Sequence, residues 1–174
     1  MRIKGGIASH GQAIVDSQGR LLVDIEGGGG GVAALEWNTR ALTVGVIVLT
    51  NVAGTLIDLP TELSQNGASI TWNAGNTDFE ISVTGSYMIA WQGTSDGAIH
   101  TLRVQATRNV GGGHAIVLGT TALCGGAGVI RGVGSGTVIL DLNAGDSIGF
   151  SMSVTPAVAV NAIEGCHMTI MKVA

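Results

Sequence analysis

Apolar and polar residues alternate along residues 136–154, interrupted once by the sequence Asn-Ala-Gly-Asp at 143–146. From Ile148 to Val154 every second residue is apolar, and the residues between them are glycine or serine. A period of two is typical of a half-buried β-strand, because successive side chains point to opposite faces of a sheet. The pattern predicts an antiparallel β-hairpin with its turn at 143–146. Such strands favour a sandwich or barrel over an α/β enzyme.

The rest of the chain repeats this alternation. At 78–83 and 101–106 apolar residues face one way and polar residues the other, and Gly, Asn and Asp separate the segments at fairly regular intervals. About nine strands fit, which indicates an all-β sandwich. The predicted strands are 41–50, 70–72, 78–84, 87–92, 100–107, 115–118, 137–142, 147–155 and 166–173. No amphipathic helix is predicted, since the best candidate, 56–63, contains Pro60.

The N-terminal part has an organisation of its own. Residues 13–23 contain two short apolar runs around Asp-Ser-Gln-Gly at 16–19, which predicts a small hairpin. Five consecutive glycines follow at 27–31 and are typical of a flexible connector. We therefore divide the chain into an arm (1–26), a glycine linker (27–31) and a main domain (32–174). The first residues lack the apolar segment of a Sec-type signal peptide, so synthesis in a cytosol is expected.

Composition indicates a protein that buries surface against other proteins. Only 11% of the 174 residues are charged and 45% are hydrophobic, whereas soluble domains usually carry about a quarter charged residues. Since no apolar run approaches the roughly 18 residues of a membrane span, we expect an oligomer and no membrane partner. The net charge of −4 and the lack of a Lys/Arg cluster exclude nucleic acid as a partner.

One segment is a candidate for the contact between subunits. Residues 41–50 are apolar on both faces, as expected of a strand covered on two sides. Trp37, close to the glycine linker, is the candidate for an exposed or interface aromatic side chain. The predicted interface residues are Leu42, Val44, Val46, Val48 and Trp37.

Three segments together resemble the C1q/TNF-like jelly-roll superfamily. They are the Phe-Glu-Ile-Ser-Val-Thr-Gly-Ser-Tyr-Met-Ile sequence at 79–89, the segment 135–148 with its Leu-Asn-Ala-Gly-Asp-Ser-Ile ending, and the closing strand 167–173. The resemblance covers roughly residues 70–174, and the chain differs from the family in having few aromatic residues. It implies an antiparallel jelly-roll sandwich that assembles as a compact homotrimer.

The resemblance also implies a function. Bacterial and phage proteins similar to this domain occur in spore coats, fibres and capsid decorations, with a short N-terminal segment that docks to the particle. A non-enzymatic capsid-decoration or head-fibre protein is therefore expected on a virion surface, made in the host cytoplasm and bound to the major capsid protein or another particle component. The predicted docking residues of the arm are Ile7, Ile14, Val15, Leu21, Leu22 and Val23. The alternative is a head domain that binds a carbohydrate or receptor, with Trp37 as a glycan-stacking candidate.

Metal and catalytic chemistry are weakly indicated. Metal-binding jelly rolls need His-x-His on a strand, and the four histidines, His10, His100, His114 and His167, are not so spaced. Asp141, Asn143 and Asp146 could ligate calcium, but turn chemistry is sufficient to explain these residues and is the favoured interpretation. The glycine-rich segments 111–114 and 125–128 lack the context of a phosphate loop, and Cys124 and Cys166 are expected to be buried thiols. No cofactor is predicted.

Overall fold

The computed structural model describes residues 13–15, 21–23, 35–49, 54–96, 100–109, 113–117, 122–126, 131–155 and 160–173. The chain divides into two compact units, Met1–Ala34 and Leu35–Ala174. Strands make up most of the described residues and no helix occurs among them, which confirms the all-β prediction. The described part of the chain also contains no helix with the length and apolar character of a transmembrane span.

Sixteen strands occur in the described residues, whereas nine were predicted for the main domain. Two of the sixteen belong to the predicted N-terminal hairpin, the predicted strand 41–50 corresponds to two strands, and β5, β6, β12 and β15 were not predicted. They are β1 (Ala13–Val15), β2 (Leu21–Val23), β3 (Glu36–Leu42), β4 (Ile47–Leu49), β5 (Thr55–Leu56), β6 (Thr61–Asn66), β7 (Ile70–Asn73), β8 (Asp78–Ile81), β9 (Gly85–Asp96), β10 (His100–Asn109), β11 (His114–Ile116), β12 (Ala122–Gly126), β13 (Arg131–Leu142), β14 (Ser147–Thr155), β15 (Val160–Ala162) and β16 (Cys166–Lys172).

The described residues of the N-terminal unit form one antiparallel pair. β1 and β2 pair in the register Ala13↔Val23 to Val15↔Leu21 and correspond to the two apolar runs of the predicted small hairpin. The glycine linker at 27–31 lies outside the described residues.

The main unit consists of two antiparallel sheets. The first, here called the β14 sheet, has the order β11-β10-β14-β8-β7, with β12 also paired to β10 and β5 to β14. The second, the β9 sheet, has the order β4-β15-β9-β16-β3-β6, with β13 paired to β9.

The hairpin predicted at 136–154 is wrong in its pairing. β13 pairs with β9 along its whole length, whereas β14 pairs with β10, β8 and β5, so the two strands belong to different sheets. The tight turn exists, with Gly145 at φ 93°. At this turn the chain passes from β13 in the β9 sheet to β14 in the β14 sheet. Leu142 before the turn and Ile148 after it both point into the core.

The core lies between the two sheets and follows the predicted alternation. Ile148, Phe150, Met152 and Val154 of β14 are at most 1% exposed. Tyr87, Ile89 and Trp91 of β9 face them from the other sheet and are at most 3% exposed. A Cβ atom at Gly136 would lie only 2.4 Å from Cζ2 of Trp91, so the indole occupies the space of the missing side chain.

The single strand predicted at 41–50 is also wrong. β3 ends at Leu42, residues 43–46 form a bend with Gly45 at φ 92°, and β4 resumes at Ile47. The left-handed backbone at Gly45 explains the break, because this conformation ends regular strand geometry. Residues 54–66, which include the rejected helix candidate, are extended and contain β5 and β6.

Cys166 is a free, buried thiol at the start of β16. Burial raises the pKa of this thiol, although the backbone N–H of Thr94, which donates to Sγ at 3.3 Å, partly opposes the change. A buried, protonated thiol is a poor nucleophile. The burial of Cys166 agrees with the sequence-based prediction. Cys124 lies in β12, for which only the backbone pairing is described.

Candidate assembly surface

The outer face of the β9 sheet is the candidate functional site. Because side chains alternate across a strand, the residues between the core positions point away from the core. The register places these residues side by side on β13, β9, β16 and β3. They are Val133, Ser135, Thr137 and Ile139 of β13, Met88, Ala90 and Gln92 of β9, His167, Thr169 and Met171 of β16, and Trp37 and Thr39 of β3.

The central part of this outer face combines apolar exposure with a lack of charge among its described side chains. Ile139 is 64% exposed and Val133 50% exposed, although both lie within the twelve-residue strand β13. The described carboxylates of this face lie towards the strand ends, where Asp141 accepts from the Ser86 hydroxyl and Asp96 accepts from Asn161 N–H at 2.8 Å. An uncharged patch with a polar rim is the composition expected of a protein interface.

Several polar groups of this face already have partners within the subunit. The hydroxyl groups of Thr39 and Thr169 are 3.0 Å apart and hydrogen-bonded across neighbouring strands. Trp37 Nε1 donates to Ser64 Oγ at 3.2 Å. Groups paired within the subunit lose little when a second protein displaces water, since an unpaired buried polar group is the main cost of burial.

The predicted interface residues are distributed over three places. Trp37 and Val48 lie on the outer face of the β9 sheet, Trp37 half-buried and Val48 55% exposed. Val44 and Val46 lie in the bend after β3 and are 76% and 61% exposed. Leu42 differs from the others, because it points into the core and is 4% exposed. Its position leaves little side-chain surface for a neighbouring subunit.

Sequence reasoning missed the residues at the centre of this face. Met88 and Ala90 lie between the core residues Tyr87, Ile89 and Trp91, so this segment is apolar on both faces. The same holds for Ile139 between Val138 and Leu140. A segment that is apolar on both faces was the reason for choosing residues 41–50 as an interface candidate. The same criterion applied to β9 and β13 identifies the outer face of the β9 sheet.

The arm residues are described only in part. Ile14, Val15, Leu21, Leu22 and Val23 belong to β1 and β2, for which the backbone pairing is known and the side chains lie outside the description. Ile7 lies outside the described residues. Their docking role stays a prediction.

The candidate metal ligands that the structure describes do not converge. Among the described residues no group of three or more His, Cys, Asp or Glu side chains could hold a metal ion. Asp146 accepts from the backbone N–H of Asn143 at 2.6 Å and forms an ion pair with Arg108, so its carboxylate is used in the turn. His167 is partly exposed at the start of β16. His10 lies outside the described residues, and His100 is described only as part of β10.

Solved structures share this architecture. Murine APRIL at pH 5.0 has a TM-score of 0.63 at 13% identity, covering 80% of this chain and 99% of that chain. The fold is a C1q/TNF-like jelly roll. Eiger TNF from S. frugiperda (TM-score 0.60, 13% identity, 80% and 94% covered) and the globular domain of zebrafish complement 1qA protein (0.59, 13%, 80% and 98%) are similar in the same way. No protein-family model matches the sequence, and no curated protein matches it significantly.

The jelly-roll likeness confirms the fold that the segments 79–89, 135–148 and 167–173 implied. At 13% identity it concerns the arrangement of the strands only. Function must therefore be argued from the surface.

Proposed function

We propose that this protein is a non-enzymatic structural protein, a homotrimeric capsid-decoration or head-fibre protein that docks on a phage particle and stabilises it. The single observation that carries the proposal is the central part of the outer face of the β9 sheet, where the described side chains carry no charge and Ile139 and Val133 of β13 are exposed. In a free monomer this face would expose apolar side chains to water. Association that buries them would gain about 25 cal/mol of free energy for each Å² of apolar surface removed from water.

A threefold assembly is the form that the C1q/TNF-like resemblance implies. Head-to-tail contacts between identical subunits form a closed ring if the rotation closes and an open filament if it does not. A closed ring of three therefore buries this face on every subunit. It also brings three arms together, so each docked arm raises the local concentration of the other two at the particle surface. Stabilisation of the shell then follows by mass action.

The arm provides the test of the docking role. Deletion of residues 1–31 is expected to leave the oligomer intact and to abolish attachment to the particle. The reason is that the described apolar face belongs wholly to the unit Leu35–Ala174. Cosedimentation of full-length and shortened protein with particles lacking the endogenous protein measures attachment, and light scattering measures the oligomer. Attachment that survives the deletion would contradict the docking role, and loss of the oligomer would contradict the placement of the interface.

The alternative function, glycan binding, depends on Trp37 as the aromatic side chain on which a sugar would stack. Its ring lies on the outer face of the β9 sheet, which the proposed trimer covers, and its indole N–H is already bonded to Ser64. Both features favour an interface role over a sugar platform.

A further inference from the structure

Asn66 is the last residue of the edge strand β6 and is followed directly by Gly67. The chain contains eight asparagines, at positions 38, 51, 66, 73, 76, 109, 143 and 161, and Asn66 is the one with a glycine after it. Asn66 and Gly67 are both exposed. Among the described strands β6 pairs with β3 alone. The two residues therefore lie where water has access and where the backbone is held on one side.

The fold requires glycine at position 67. Its φ of 83° lies in the left-handed region, which residues with a side chain adopt only at a cost. A Cβ atom there would also overlap the side chain of Glu36, whose carboxylate accepts from the backbone N–H groups of Ala68 at 3.0 Å and Ser69 at 2.8 Å. The turn between β6 and β7 thus imposes the residue that leaves the amide nitrogen after Asn66 least hindered.

The Asn66 side chain is hydrogen-bonded to the first described residue of the main unit. Its Nδ2 donates to the carbonyl oxygen of Leu35 at 2.6 Å. Asn66 also lies opposite Trp37 in the register of β6 and β3. Both contacts hold Asn66 in extended geometry, so its side chain approaches the next amide nitrogen only when the end of β6 frays. Fraying at an exposed strand end costs little free energy, because few contacts are broken.

We propose that Asn66 is a site of spontaneous deamidation, at which the side-chain amide is converted to a carboxylate with solvent water as the co-reactant. Asparagine is a thermolabile residue. In the first step the amide nitrogen of Gly67 loses its proton and bonds to Cγ of Asn66, the Cγ–Nδ2 bond breaks, and Nδ2 leaves as ammonia. Water then opens the cyclic succinimide that has formed. Opening at Cγ produces aspartate, and opening at the main-chain carbonyl carbon produces isoaspartate, in which the backbone passes through Cγ.

Asn143 is the comparison that the chain itself offers. It is also exposed, in the turn between β13 and β14, but the residue after it is Ala144. The Cβ atom of alanine restricts the backbone more than glycine does. The amide nitrogen of Ala144 also donates to Thr84 Oγ1 at 3.1 Å. Exposure alone would make the two asparagines equally reactive, whereas the nature of the following residue favours Asn66.

The product changes the contact between β6 and β3. A carboxylate at position 66 has no proton to donate, so the hydrogen bond to the Leu35 carbonyl is lost. It also adds a negative charge near Glu36, whose side chain fills the space beside Gly67, and like charges repel. Isoaspartate in addition lengthens the backbone just before the N–H groups that hold Glu36. Deamidation is therefore expected to loosen this edge of the β9 sheet.

Peptide mapping by mass spectrometry tests the site in the full-length protein after incubation in mildly alkaline buffer. The peptide that contains Asn66 is expected to gain the mass of the acid and to separate by chromatography into an aspartate and an isoaspartate form, because the succinimide opens in two ways. The peptide that contains Asn143 should stay unchanged over the time in which half of Asn66 reacts. The Ile139→Lys variant is incubated alongside, since its Asn66 is expected to stay exposed even if the wild-type assembly covers this margin of the sheet.

Three outcomes would overturn the proposal. They are an Asn66 that keeps its amide in the Ile139→Lys variant, an Asn143 that reacts as fast as Asn66, and a product that is aspartate alone, which would indicate direct hydrolysis.

Two variants at position 66 complete the test. Asn66→Gln keeps a side-chain amide but has to close a larger ring, so it should retain its mass under the same conditions. Asn66→Asp imitates one product, and amide hydrogen exchange across residues 61–66 is expected to be roughly fivefold faster than in freshly prepared wild type, the equivalent of one lost hydrogen bond. Acid formation in Asn66→Gln at the wild-type rate would overturn the role of the Gly67 nitrogen, and unchanged exchange in Asn66→Asp would overturn the loosening of β6.

Discussion

Replacing Ile139 by lysine is expected to convert the proposed homotrimer into monomers. Ile139 is 64% exposed in the subunit and lies on the outer face of the β9 sheet, opposite Met88 of β9. In the assembly its position would be dry, and an unpaired buried ammonium costs on the order of 3 kcal/mol or more. That corresponds to at least a hundredfold weaker association. Light scattering should show a change from about three times the 17.5 kDa chain mass to one.

The chain offers a matched control on its other sheet. Ile116 is also an isoleucine on a strand, 52% exposed, and lies on the outer side of the β14 sheet. Ile116→Lys should therefore retain the mass of the wild-type oligomer. A wild-type monomer at micromolar concentration, or an Ile139→Lys protein of unchanged mass, would contradict the assembly surface proposed here.

Truncation of Phe150 to alanine is expected to lower the free energy of unfolding by about 3–5 kcal/mol. Phe150 is 1% exposed on the central strand β14, which pairs with β10 on one side and with β8 and β5 on the other. Removing the ring leaves a cavity that this strand cannot close by moving. Denaturant unfolding measures the loss, best in the Ile139→Lys background, because oligomers make the midpoint depend on concentration.

Phe150→Leu serves as the comparison for this loss. Leucine keeps an apolar side chain in the site, so this variant should lower the free energy of unfolding by clearly less than the alanine variant does. A loss below about 1 kcal/mol for Phe150→Ala would show that the two sheets do not enclose this side chain as described.

The sequence predicts the faces of the strands well and their partners poorly. The alternation at 148–154 correctly identifies which side chains enter the core, because the period of two is a property of a single strand. Pairing depends on distant segments, and a tight turn such as Asn143–Asp146 serves a hairpin and a crossing between sheets equally well. The mistaken hairpin between β13 and β14 follows from this ambiguity.

The candidate surface shows the same limit. Runs that are apolar on both faces, as at 87–91, reveal that something covers the second face, but not whether it is the other sheet or another molecule. Val44 and Val46 were grouped with Leu42 by such a run, and the bend at Gly45 separates them. The contact between His114 of β11 and Asp78 of β8 gave no sequence signal, because only the stacking order of four strands brings the two residues together.

The contact between Trp91 and Gly136 has a consequence for how this protein can vary. The Trp91 ring fills the space that a side chain at position 136 would occupy. A larger residue at 136 therefore requires a smaller side chain at 91. Homologues should therefore exchange the two residues together, a large partner on one strand balanced by a small one on the other. A change at either position alone would leave a clash or a hole.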